Sequence, residues 1–585
     1  MAFIVLPGAD ASGNGNDWTP NNINSTDSTA TTYDIMTDVP TLTDEDTANY
    51  ATLNPLSAGT NANISQGNLY AVGNSVNHVG VYPTILPKTG KWYFEFDIVT
   101  ANSGGFGFSN SPGPISGFPG LASGYWYIYG ALTTGYSIHN ELTYTSYTDT
   151  RFNTGNLGQM AIDFDTGKVW VGSNNVWINS TNGTTGNPST GANPTWTMPT
   201  GVQYYPFMEF ANPATTFAMN FGQRPLAYTP PTGYLKLNTF NLPDSSIVDG
   251  SEYMNTVLYT GNGTSQSITG VGFEPDFVWL KETGGTSSHM LFDTIRGAGY
   301  GLKSNATSAE FNDIQTVSSI NSDGFSVGNS LATNESGITH VAWCWDAGGT
   351  GVSNTDGDIA STVSANTTAG FSVVTYSGSN TVGTVGHGLG VVPNMIIVKR
   401  RNSGTDGWQT YHSSLGNTGL LYLNSTQAVV TGVGTWQSTT PTTTKFYLEI
   451  GSGGVNASGG TYVAYCFAEV EGYSKIGSYT GNGSTDGPFV YTGFRPAFIL
   501  EKNTNAAIGW LLWDTSRSSY NMVTKYLVAN TSDAEGDTAG AGGPNIDILS
   551  NGFKVRDPNA GWNQSGSTHI YMAFAENPFK NSLAR

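Results

Sequence analysis

The sequence predicts an all-β protein, built as one β-sandwich followed by three tandem, mutually homologous β-sandwich modules. Composition and an internal repeat carry this prediction. The 585-residue chain has 75 glycines, 12% aromatic residues and only 11% charged residues. Glycine-rich turns between short runs of Thr, Tyr, Val and Ile favour strands, because β-branched and aromatic side chains fit a pleated surface. Almost no segment shows the sustained 3.6-residue apolar period of an amphipathic helix.

The internal repeat is the most informative feature of the chain. The segment 259–263 (Tyr-Thr-Gly-Asn-Gly) recurs at 376–378 and at 479–483, and each copy continues to a proline followed by an apolar run. The tyrosine and the proline recur together, 117 or 118 residues after the first copy and 103 residues after the second. Two landmarks that keep one spacing indicate duplication of a whole domain. Such duplication supplies many contacts, whereas an enzyme usually needs one site.

These landmarks divide the chain into seven predicted segments. They are an arm at 1–60, a β-sandwich at 61–235, a linker at 236–256, copy one at 257–346, a second linker at 347–369, copy two at 370–472 and copy three at 473–585. The arm is polar and turn-rich, so we expect it to lack a core and to dock on a neighbouring protein. The second linker is rich in Gly, Ser, Thr and Asn, which is typical of flexible connections.

The segment 61–235 carries motifs that resemble the SPRY family. The motifs are Gly-Lys-Trp-Tyr-Phe-Glu at 90–95, Asp-Phe-Asp-Thr-Gly-Lys-Val-Trp at 163–170 and Asn-Phe-Gly-Gln-Arg-Pro at 220–225. Their order and spacing resemble those of successive SPRY signatures. The resemblance implies a concanavalin-like sandwich of two antiparallel sheets, whose loops bind partners without catalysis. Because SPRY ligands vary widely, the resemblance does not identify the ligand.

The repeats and the SPRY-like segment together are also similar to modular proteins common among the tail-fibre genes of marine bacteriophages. The motifs lie at 273–281, 322–327, 341–345 and 573–579. This resemblance implies a virion appendage, a tail fibre or receptor-binding subunit, that projects its modules and adheres to the host surface through many weak contacts. It also implies a homo-oligomer, with a trimer favoured, that assembles in the host cytoplasm and binds other virion proteins through the arm. No heptad repeat is present that would itself enforce three strands.

Three other functions stay open. The protein could decorate the capsid or its vertices as a structural component, cleave a surface polysaccharide as a depolymerase, or serve as a bacterial surface adhesin. The sequence has no phosphate loop and no His-Glu-x-x-His motif, which are local signatures of common catalytic sites. We therefore expect no enzymatic activity and no cofactor.

The charge balance restricts the partners. The net charge is −20, with only 22 lysines and arginines. Nucleic acid is a poor partner for such a chain, because phosphate binding needs a basic footprint. We expect no membrane insertion, since no run approaches the roughly 18 apolar residues of a spanning helix, and the short apolar N-terminus does not resemble a signal peptide. A protein or a glycan of the host surface remains the expected ligand.

Aromatic residues in the SPRY-like segment are the candidate ligand-binding residues. They are Trp126, in an aromatic strand, and Trp177 and Trp196, in loops rich in Asn, Pro and Gly. Exposed aromatic rings stack on sugar faces and dominate interface energetics. The alternative for each is a ring that plugs the base of a loop.

Two Asp–Arg pairs are candidate structural ion pairs. Copy one has Asp293 and Arg296, and copy three has Asp514 and Arg517, whereas copy two has histidine and leucine at both places. Joint loss of both members is what a buried pair requires, because removal of one partner alone is costly. The alternative, a catalytic aspartate, would leave copy two inactive.

Other conspicuous residues favour structural roles. Lys281, Lys399 and Lys502 each follow the module's proline by six residues, and we interpret them as strand-end residues paired with carboxylates rather than as a binding stripe. Cys344 and Cys466 align with an alanine of copy three, which indicates small core residues. His387 and His412 are too few for a metal site, and the segment 163–167 lacks the last acidic ligand of a calcium loop. We therefore expect no metal site.

Overall fold

The computed structural model describes residues 45, 48–58, 62–73, 79–110, 123–131, 133–432, 434–451, 453–538, 543–578 and 580. The chain divides into two compact units, Met1–Pro243 and Asp244–Arg585. Strands dominate the described residues and helices are single turns, so the predicted all-β fold class is confirmed. Most of the arm predicted as the virion anchor, residues 1–44, lies outside the described residues.

The first unit is a sandwich of two sheets. Its strands are β1 Ala62–Ser65, β2 Tyr70–Gly73, β3 Val79–Val81, β4 Lys91–Thr100, β5 Ser103–Ser109, β6 Tyr125–Ala131, β7 Tyr136–Asn140, β8 Thr143–Tyr147, β9 Leu157–Asp163, β10 Lys168–Ser173, β11 Val176–Ile178, β12 Trp196–Thr197, β13 Tyr205–Phe210, β14 Thr216–Asn220 and β15 Leu235–Lys236. One sheet has the order β1-β2-β14-β4-β9-β10-β11, with β12 beside β10 and β15 beside β4; the other has the order β3-β13-β5-β6-β7-β8. Pairing is antiparallel except between β15 and β4. Short 3-10 helices lie at Pro55–Ser57 and Pro188–Thr190.

Phenylalanines from both sheets form the centre of this sandwich. The ring of Phe96 on β4 lies 4.7 Å from that of Phe106 on β5 and 6.0 Å from that of Phe217 on β14. Alternation along β4 directs Phe96 inward, because successive strand side chains point to opposite faces. The end of the predicted arm belongs to the same body: Ala51 donates its N–H to the Leu237 carbonyl at 2.9 Å and is fully buried.

The second unit contains the three repeats. Copy one has β16 Met254–Thr260, β17 Gln266–Thr269, β18 Phe277–Glu282, β19 Met290–Asp293, β20 Tyr300–Lys303, β21 Phe311–Asn312, β22 Val317–Asn321, β23 Gly324–Val327, α1 Leu331–Asn334 and β24 Thr339–Trp345. Copy two has β25 Val352–Asn354, β26 Ser361–Asn366, β27 Phe371–Ser377, β28 Gly383–Gly386, β29 Met395–Arg400, β30 Gln409–His412, β31 Leu421–Tyr422, β32 Lys445–Leu448, α2 Gly453–Asn456 and β33 Thr461–Phe467. Copy three has β34 Ser474–Thr480, β35 Phe489–Tyr491, β36 Phe494–Asn503, β37 Trp510–Asp514, β38 Lys525–Val528, β39 Gly536–Asp537, β40 Ile546–Leu549, β41 Gly552–Val555, α3 Ala560–Asn563 and β42 Thr568–Pro578. The 3-10 helices are Gly250–Glu252 and Ser413–Leu415.

The three copies share one strand topology. Their large sheets have the orders β16-β24-β18-β19-β20-β21, β27-β33-β29-β30-β31 and β34-β42-β36-β37-β38-β39. Each large sheet faces a small sheet of its own copy, formed by β17-β23-β22, β28-β32 or β35-β41-β40. An apolar cluster of each copy fills the space between its two sheets. Each copy is therefore a complete sandwich.

One predicted linker is structured. The segment 347–369 contains β25 and β26, which extend the large sheet of copy two beyond β27. The prediction of a flexible linker was wrong because these strands, at one end of the sheet, expose polar side chains: in β26, Thr362 is exposed between the buried Ser361 and Val363. The boundary between the two units, at Pro243, falls inside the other predicted linker, 236–256.

The copies do not form three separate projecting bodies, as the repeat had suggested, because they share one core. The outward faces of the three large sheets meet in a single apolar cluster with members from every copy. At its centre Trp345, Phe467 and Phe574 occupy the same register position in β24, β33 and β42. Their ring centroids lie 5.8 to 6.5 Å apart. We call these three residues the aromatic triangle.

Equivalent backbone hydrogen bonds close the copies into a ring. A loop of each copy donates one backbone N–H to a backbone carbonyl of the next copy. The accepting residue directly follows β18, β29 or β36, the strands that carry Lys281, Lys399 and Lys502. The three bonds are Glu310 N to Arg401 O at 2.7 Å, Val429 N to Thr504 O at 2.9 Å and Glu535 N to Thr283 O at 2.8 Å. Copy one thus binds copy two, copy two binds copy three, and copy three binds copy one. The second unit therefore has pseudo-threefold order within one chain.

The repeated Tyr-x-Gly segment is explained by a buried asparagine that sequence inspection missed. In copy three the Asn563 side chain accepts the Asn482 N–H at 2.8 Å and donates to the carbonyls of Ser484 and Asp557 at 2.7 and 2.9 Å. The Tyr479 hydroxyl donates to the Trp562 carbonyl at 2.9 Å, directly before this asparagine. Asn334 and Asn456 do the same in the other copies.

Replacing Asn563 by alanine is expected to lower the free energy of unfolding by about 1–3 kcal/mol, because buried backbone groups would lose their partners. Urea unfolding of the full chain measures this. Thr485→Ala in the same loop is the matched control, since Thr485 is exposed, and we expect a change within about 0.5 kcal/mol. Equal midpoints for Asn563→Ala and the wild type would contradict the assigned role.

Candidate functional site

The predicted ligand-binding tryptophans are mostly internal. Trp126 and Trp196 are each 2% exposed, and the Trp126 ring packs edge-to-face against Tyr204 at 5.6 Å. Their assignment as ligand contacts is therefore wrong, because a buried ring cannot stack on a ligand. Trp177 alone of the three has a partly exposed ring, which packs against Tyr93 at 6.3 Å.

The Asp–Arg pairs lie at the joints between copies. Arg296 Nε lies 2.5 Å from Asp293 Oδ2, and Arg517 Nε lies 2.6 Å from Asp514 Oδ2. Each carboxylate also accepts a hydrogen bond from a neighbouring copy: Tyr465 Oη donates to Asp293 at 2.9 Å, and Trp343 Nε1 donates to Asp514 at 3.1 Å. All four members are buried. These groups therefore stabilise the ring and are closed to a substrate.

The histidines of copy two are also internal. His412 occupies the aspartate position, and its Nε2 lies 3.4 Å from the Tyr571 carbonyl oxygen of copy three. Burial lowers the pKa of His412 to about 4. His387 is buried, with its Nε2 3.1 Å from the Thr442 carbonyl oxygen. Each histidine thus has a structural partner within the second unit.

The three lysines are buried in cages of backbone carbonyls, and the predicted pairing with carboxylates is wrong. Lys399 Nζ donates to Arg400 O at 2.8 Å and to Thr307 O of copy one at 3.0 Å. Lys502 Nζ donates to Asn503 O at 2.8 Å and to Thr426 O of copy two at 3.1 Å. Burial lowers the pKa of Lys281, Lys399 and Lys502 to about 8. Lys399 and Lys502 thus add to the contacts that close the ring, whereas Lys281 donates to the Glu282 and Gly285 carbonyls of its own copy.

The lysine cages predict a pH dependence of stability. A folded-state pKa of about 8 lies below the ordinary value of about 10.5, so the unfolded chain binds more protons between these values and stability rises with pH there. From about pH 7.5 to about pH 9.5 we expect the wild type to gain about 2 kcal/mol relative to Lys502→Met. Urea unfolding at both pH values measures the gain.

Lys525→Met is the control for this prediction, because the Lys525 side chain is 41% exposed. We expect the wild type and this control variant to change in parallel over the same pH range. A parallel course for Lys502→Met as well would show that burial does not lower the pKa of Lys502.

Cys344 and Cys466 are buried and form no disulfide. Burial raises the pKa of both thiols, that of Cys466 to about 12. Within the part of the chain that the structure describes, no group of three or more His, Cys, Asp and Glu side chains is arranged to hold a metal ion. None of the described helices is long and apolar enough to span a membrane.

A polar cleft between copy one and the added strands of copy two is the main candidate site, and sequence inspection did not find it. Its volume is about 620 Å³. We call it the copy-one cleft, and it is lined by Phe273, Glu274, Asp276, Thr294, Ile295, Asp346, Gly349, Thr350, Gly351 and Thr362. The lining combines an aromatic ring, aliphatic carbon, hydroxyls and carboxylates, which is the mixture of a ligand site.

A buried aspartate fixes one wall of the cleft. Asp276 is 1% exposed, and its carboxylate accepts the Thr294 hydroxyl at 2.7 Å and the N–H groups of Ala347 and Gly349 at 2.8 and 2.7 Å. On the other side of the same loop, the Ser364 hydroxyl contacts the Ala347 and Gly349 carbonyls at 2.8 and 2.6 Å. The glycine-rich loop is therefore held from both sides.

Asp346 presents a carboxyl group to the cleft. It is half-buried, accepts the Gly348 N–H at 2.7 Å and is bonded by the Asn366 amide at 2.9 Å. Burial raises the pKa of Asp346, and the neighbouring Asp276 carboxylate adds to the rise. Glu274, at the rim, is exposed. The cleft is therefore acidic and rich in hydrogen-bond acceptors.

The copy-one cleft breaks the repeat. Valine stands at 391 and 392, where copy one has Phe273 and Glu274, and Asn394 replaces Asp276. Copy three has Arg495 and Ala497 at the latter two places. β25 and β26, which supply Thr362, are an addition of copy two. The sequence does contain an indication of this cleft, because copy one has acidic residues at positions 274 and 276 and the other copies have none at the matching places.

Fold and site together define an all-β protein of two units, the second a closed ring of three sandwiches with one unrepeated cleft. The chain belongs to the family described as Domain of unknown function (DUF7483), whose model matches residues 249–578, more than half of the chain. That match spans all three copies as one domain.

Solved structures of SPRY domains are similar to part of the chain. The SPRY domain of human HERC1 is 14% identical and covers 30% of this chain and 99% of its own, with a TM-score of 0.24. The PSpry domain of TRIM65 is 13% identical and covers 29% of this chain and 92% of its own, with a TM-score of 0.22. Stonustoxin is 14% identical and covers 31% of this chain and 30% of its own, also at 0.22. No curated protein matches the chain.

Proposed function

We propose that this protein is a virion appendage of a bacteriophage, a tail-fibre or receptor-binding subunit that attaches the particle to the host cell surface. The observation that carries the proposal is the closure of three copies around one core. Threefold symmetry is common in fibres, and a single chain with pseudo-threefold order suits attachment along such an axis. The motif resemblance to marine bacteriophage tail-fibre proteins points the same way.

The internal use of the repeated polar groups supports a binding role. These groups form hydrogen bonds to partners inside the second unit: the Asp–Arg pairs, the buried lysines and the buried asparagines Asn334, Asn456 and Asn563. What differs between the copies lies in loops and edges, such as the copy-one cleft. A rigid body with variable loops is the usual form of a protein that binds rather than catalyses. Several such chains on one particle would multiply weak contacts by about 10²–10⁴.

The partners in this proposal are other virion proteins and a host surface glycan or protein. The arm, whose residues 1–44 lie outside the described part, would attach the chain to the particle. The protein would assemble in the host cytoplasm as a homo-oligomer, with a trimer favoured. A net charge of −20 keeps nucleic acid and anionic lipid outside this set of partners.

Localisation on purified particles tests the proposal. Gold-labelled Fab fragments against the second unit are expected to mark the tail or another appendage in electron micrographs. The same Fab fragments, in excess, are expected to reduce adsorption to host cells. A label spread over the capsid, with adsorption unchanged, would replace the proposal by a decorating role. Shortening of host glycan chains by the purified protein would replace it by a depolymerase.

A further inference from the structure

We propose that the copy-one cleft binds a neutral sugar residue of a surface glycan. This inference deepens the proposed attachment function and rests on it for its biological role. The binding chemistry itself is carried by the cleft. A volume of about 620 Å³ lies in the range of pockets that hold a small ligand.

The apolar part of the cleft matches the carbon face of a sugar ring. Phe273 is half-buried, so one part of its ring is anchored and another part is open. Ile295 is also half-buried and continues this surface. Aromatic rings attract the C–H groups of an apolar ligand face through dispersion and their quadrupole. A pyranose that lies on Phe273 would point its hydroxyl groups toward the polar rim.

The polar part of the cleft offers both donors and acceptors. Asp346 and Glu274 accept, and the hydroxyls of the exposed Thr350 and Thr362 can donate or accept. Each Asp346 carboxyl oxygen accepts one protein hydrogen bond and has a second lone pair. Sugar hydroxyls also donate and accept, so a neutral sugar can satisfy both kinds of group.

The loop at the cleft is organised before a ligand arrives. Asp276 accepts the N–H groups of Ala347 and Gly349, and the Ser364 hydroxyl contacts the carbonyls of the same two residues. The Thr294 hydroxyl in turn donates to Asp276. A preformed site loses less conformational entropy on binding. Asp276 is therefore a positioning residue, and Asp346 and Phe273 are the contact residues.

Charge decides between ligand classes. Three acidic residues, Glu274, Asp276 and Asp346, line the cleft, so a phosphate, a sulfated sugar or a sialic acid would meet repulsion. A bound metal ion is disfavoured, since no three His, Cys, Asp or Glu side chains among the described residues are arranged to hold one. A neutral hexose or N-acetylhexosamine remains as the ligand that matches the apolar floor and the acidic rim.

Titration of the purified full chain with defined glycans tests the site. The probes are a neutral hexose trisaccharide series, a neutral N-acetylhexosamine trisaccharide and a sialylated trisaccharide, measured by saturation-transfer NMR and calorimetry. We expect binding of at least one neutral probe and none of the sialylated one. Phe273→Ala is expected to weaken the Kd about tenfold or more, as loss of a central aromatic contact does.

Two further variants make the test specific. Gly351→Val should block the cleft, because a Cβ there would lie 2.9 Å from Thr362 Cγ2 and 3.2 Å from Ile295 Cγ1. Val391→Ala is the matched control, since Val391 holds the place of Phe273 in copy two and is 46% exposed. We expect unchanged affinity in this control. Melting curves confirm that each variant is folded.

The outcomes separate the site from the attachment role. Absence of neutral-glycan binding or preference for the sialylated probe would overturn the site. Affinity equal to that of the wild type in both Phe273→Ala and Gly351→Val would overturn it as well. Binding with the expected variant pattern, together with normal adsorption of particles that carry Phe273→Ala, would support the site and overturn its role in attachment. Adsorption blocked by Fab fragments without glycan binding would leave attachment standing and remove the sugar site.

Discussion

Replacing Trp345 by alanine is expected to lower the free energy of unfolding of the second unit by about 3–5 kcal/mol, the usual cost of truncating a large buried aromatic residue. Trp345 is 1% exposed. Its ring lies 5.3 Å from Phe277 of its own copy, 6.5 Å from Phe467 of copy two and 5.8 Å from Phe574 of copy three. Because one side chain contacts all three copies, the loss should weaken all three together.

Urea unfolding and amide hydrogen exchange of the full chain measure this effect. Exchange should become faster in the large sheets of every copy. Trp436→Ala is the matched control, because Trp436 is 2% exposed but belongs to the cluster of copy two alone. A loss of similar size is expected there, with faster exchange concentrated in copy two. Faster exchange of copy one alone in Trp345→Ala would refute a shared core.

Replacing Asp293 by alanine is expected to cost about 3–5 kcal/mol, because it leaves the Arg296 charge buried without its closest partner. The substitution also removes the acceptor of the Tyr465 hydroxyl, which joins copy one to copy two. Arg296 retains Glu310 at 3.1 Å, so the loss should not exceed this range. Urea unfolding of the full chain measures it.

Copy two supplies the compensating change for this site. It has His412 and Leu415 where copy one has Asp293 and Arg296. The double substitution Asp293→His with Arg296→Leu is therefore expected to recover at least about 1 kcal/mol relative to Asp293→Ala, since no charged group loses its only close partner. Glu310 would still be bound by Arg401 at 2.9 Å. A double variant less stable than Asp293→Ala would contradict this account of the pair.

The sequence was sufficient for the fold class and the repeat, but not for the way the copies pack. β18 contains the run Phe277 to Leu280, which is buried on both faces. Val278 and Leu280 face the small sheet of their own copy, whereas Phe277 and Trp279 face the other copies. A continuous apolar run predicts burial on two sides. It does not identify the partner on either side, so a ring and a linear array are equally compatible with it.

The predictions of site residues were wrong where the composition of a segment suggests exposure or a given partner, and packing against distant segments provides something else. Trp196 follows a polar loop, yet it is buried. Carboxylates were the predicted partners of the lysines, but closure of the ring supplies Lys399 and Lys502 with carbonyl groups from another copy, such as Thr307 for Lys399. The copy-one cleft joins residues from 273 to 362 across two copies, and only a departure from the repeat marked them. Contacts of that kind become visible once the partner strands are known.

Closure of the ring also constrains how such a protein can evolve. In an open solenoid, units are gained or lost at the ends, because each touches only its neighbours. Here the aromatic triangle takes one ring from each copy, so the closed ring has no free contact surface for a fourth unit. Loss of one unit would expose the apolar faces of the other two large sheets to water. Copy number is thus fixed by geometry. Diversification among relatives should instead accumulate in insertions at the rim, as β25 and β26 illustrate.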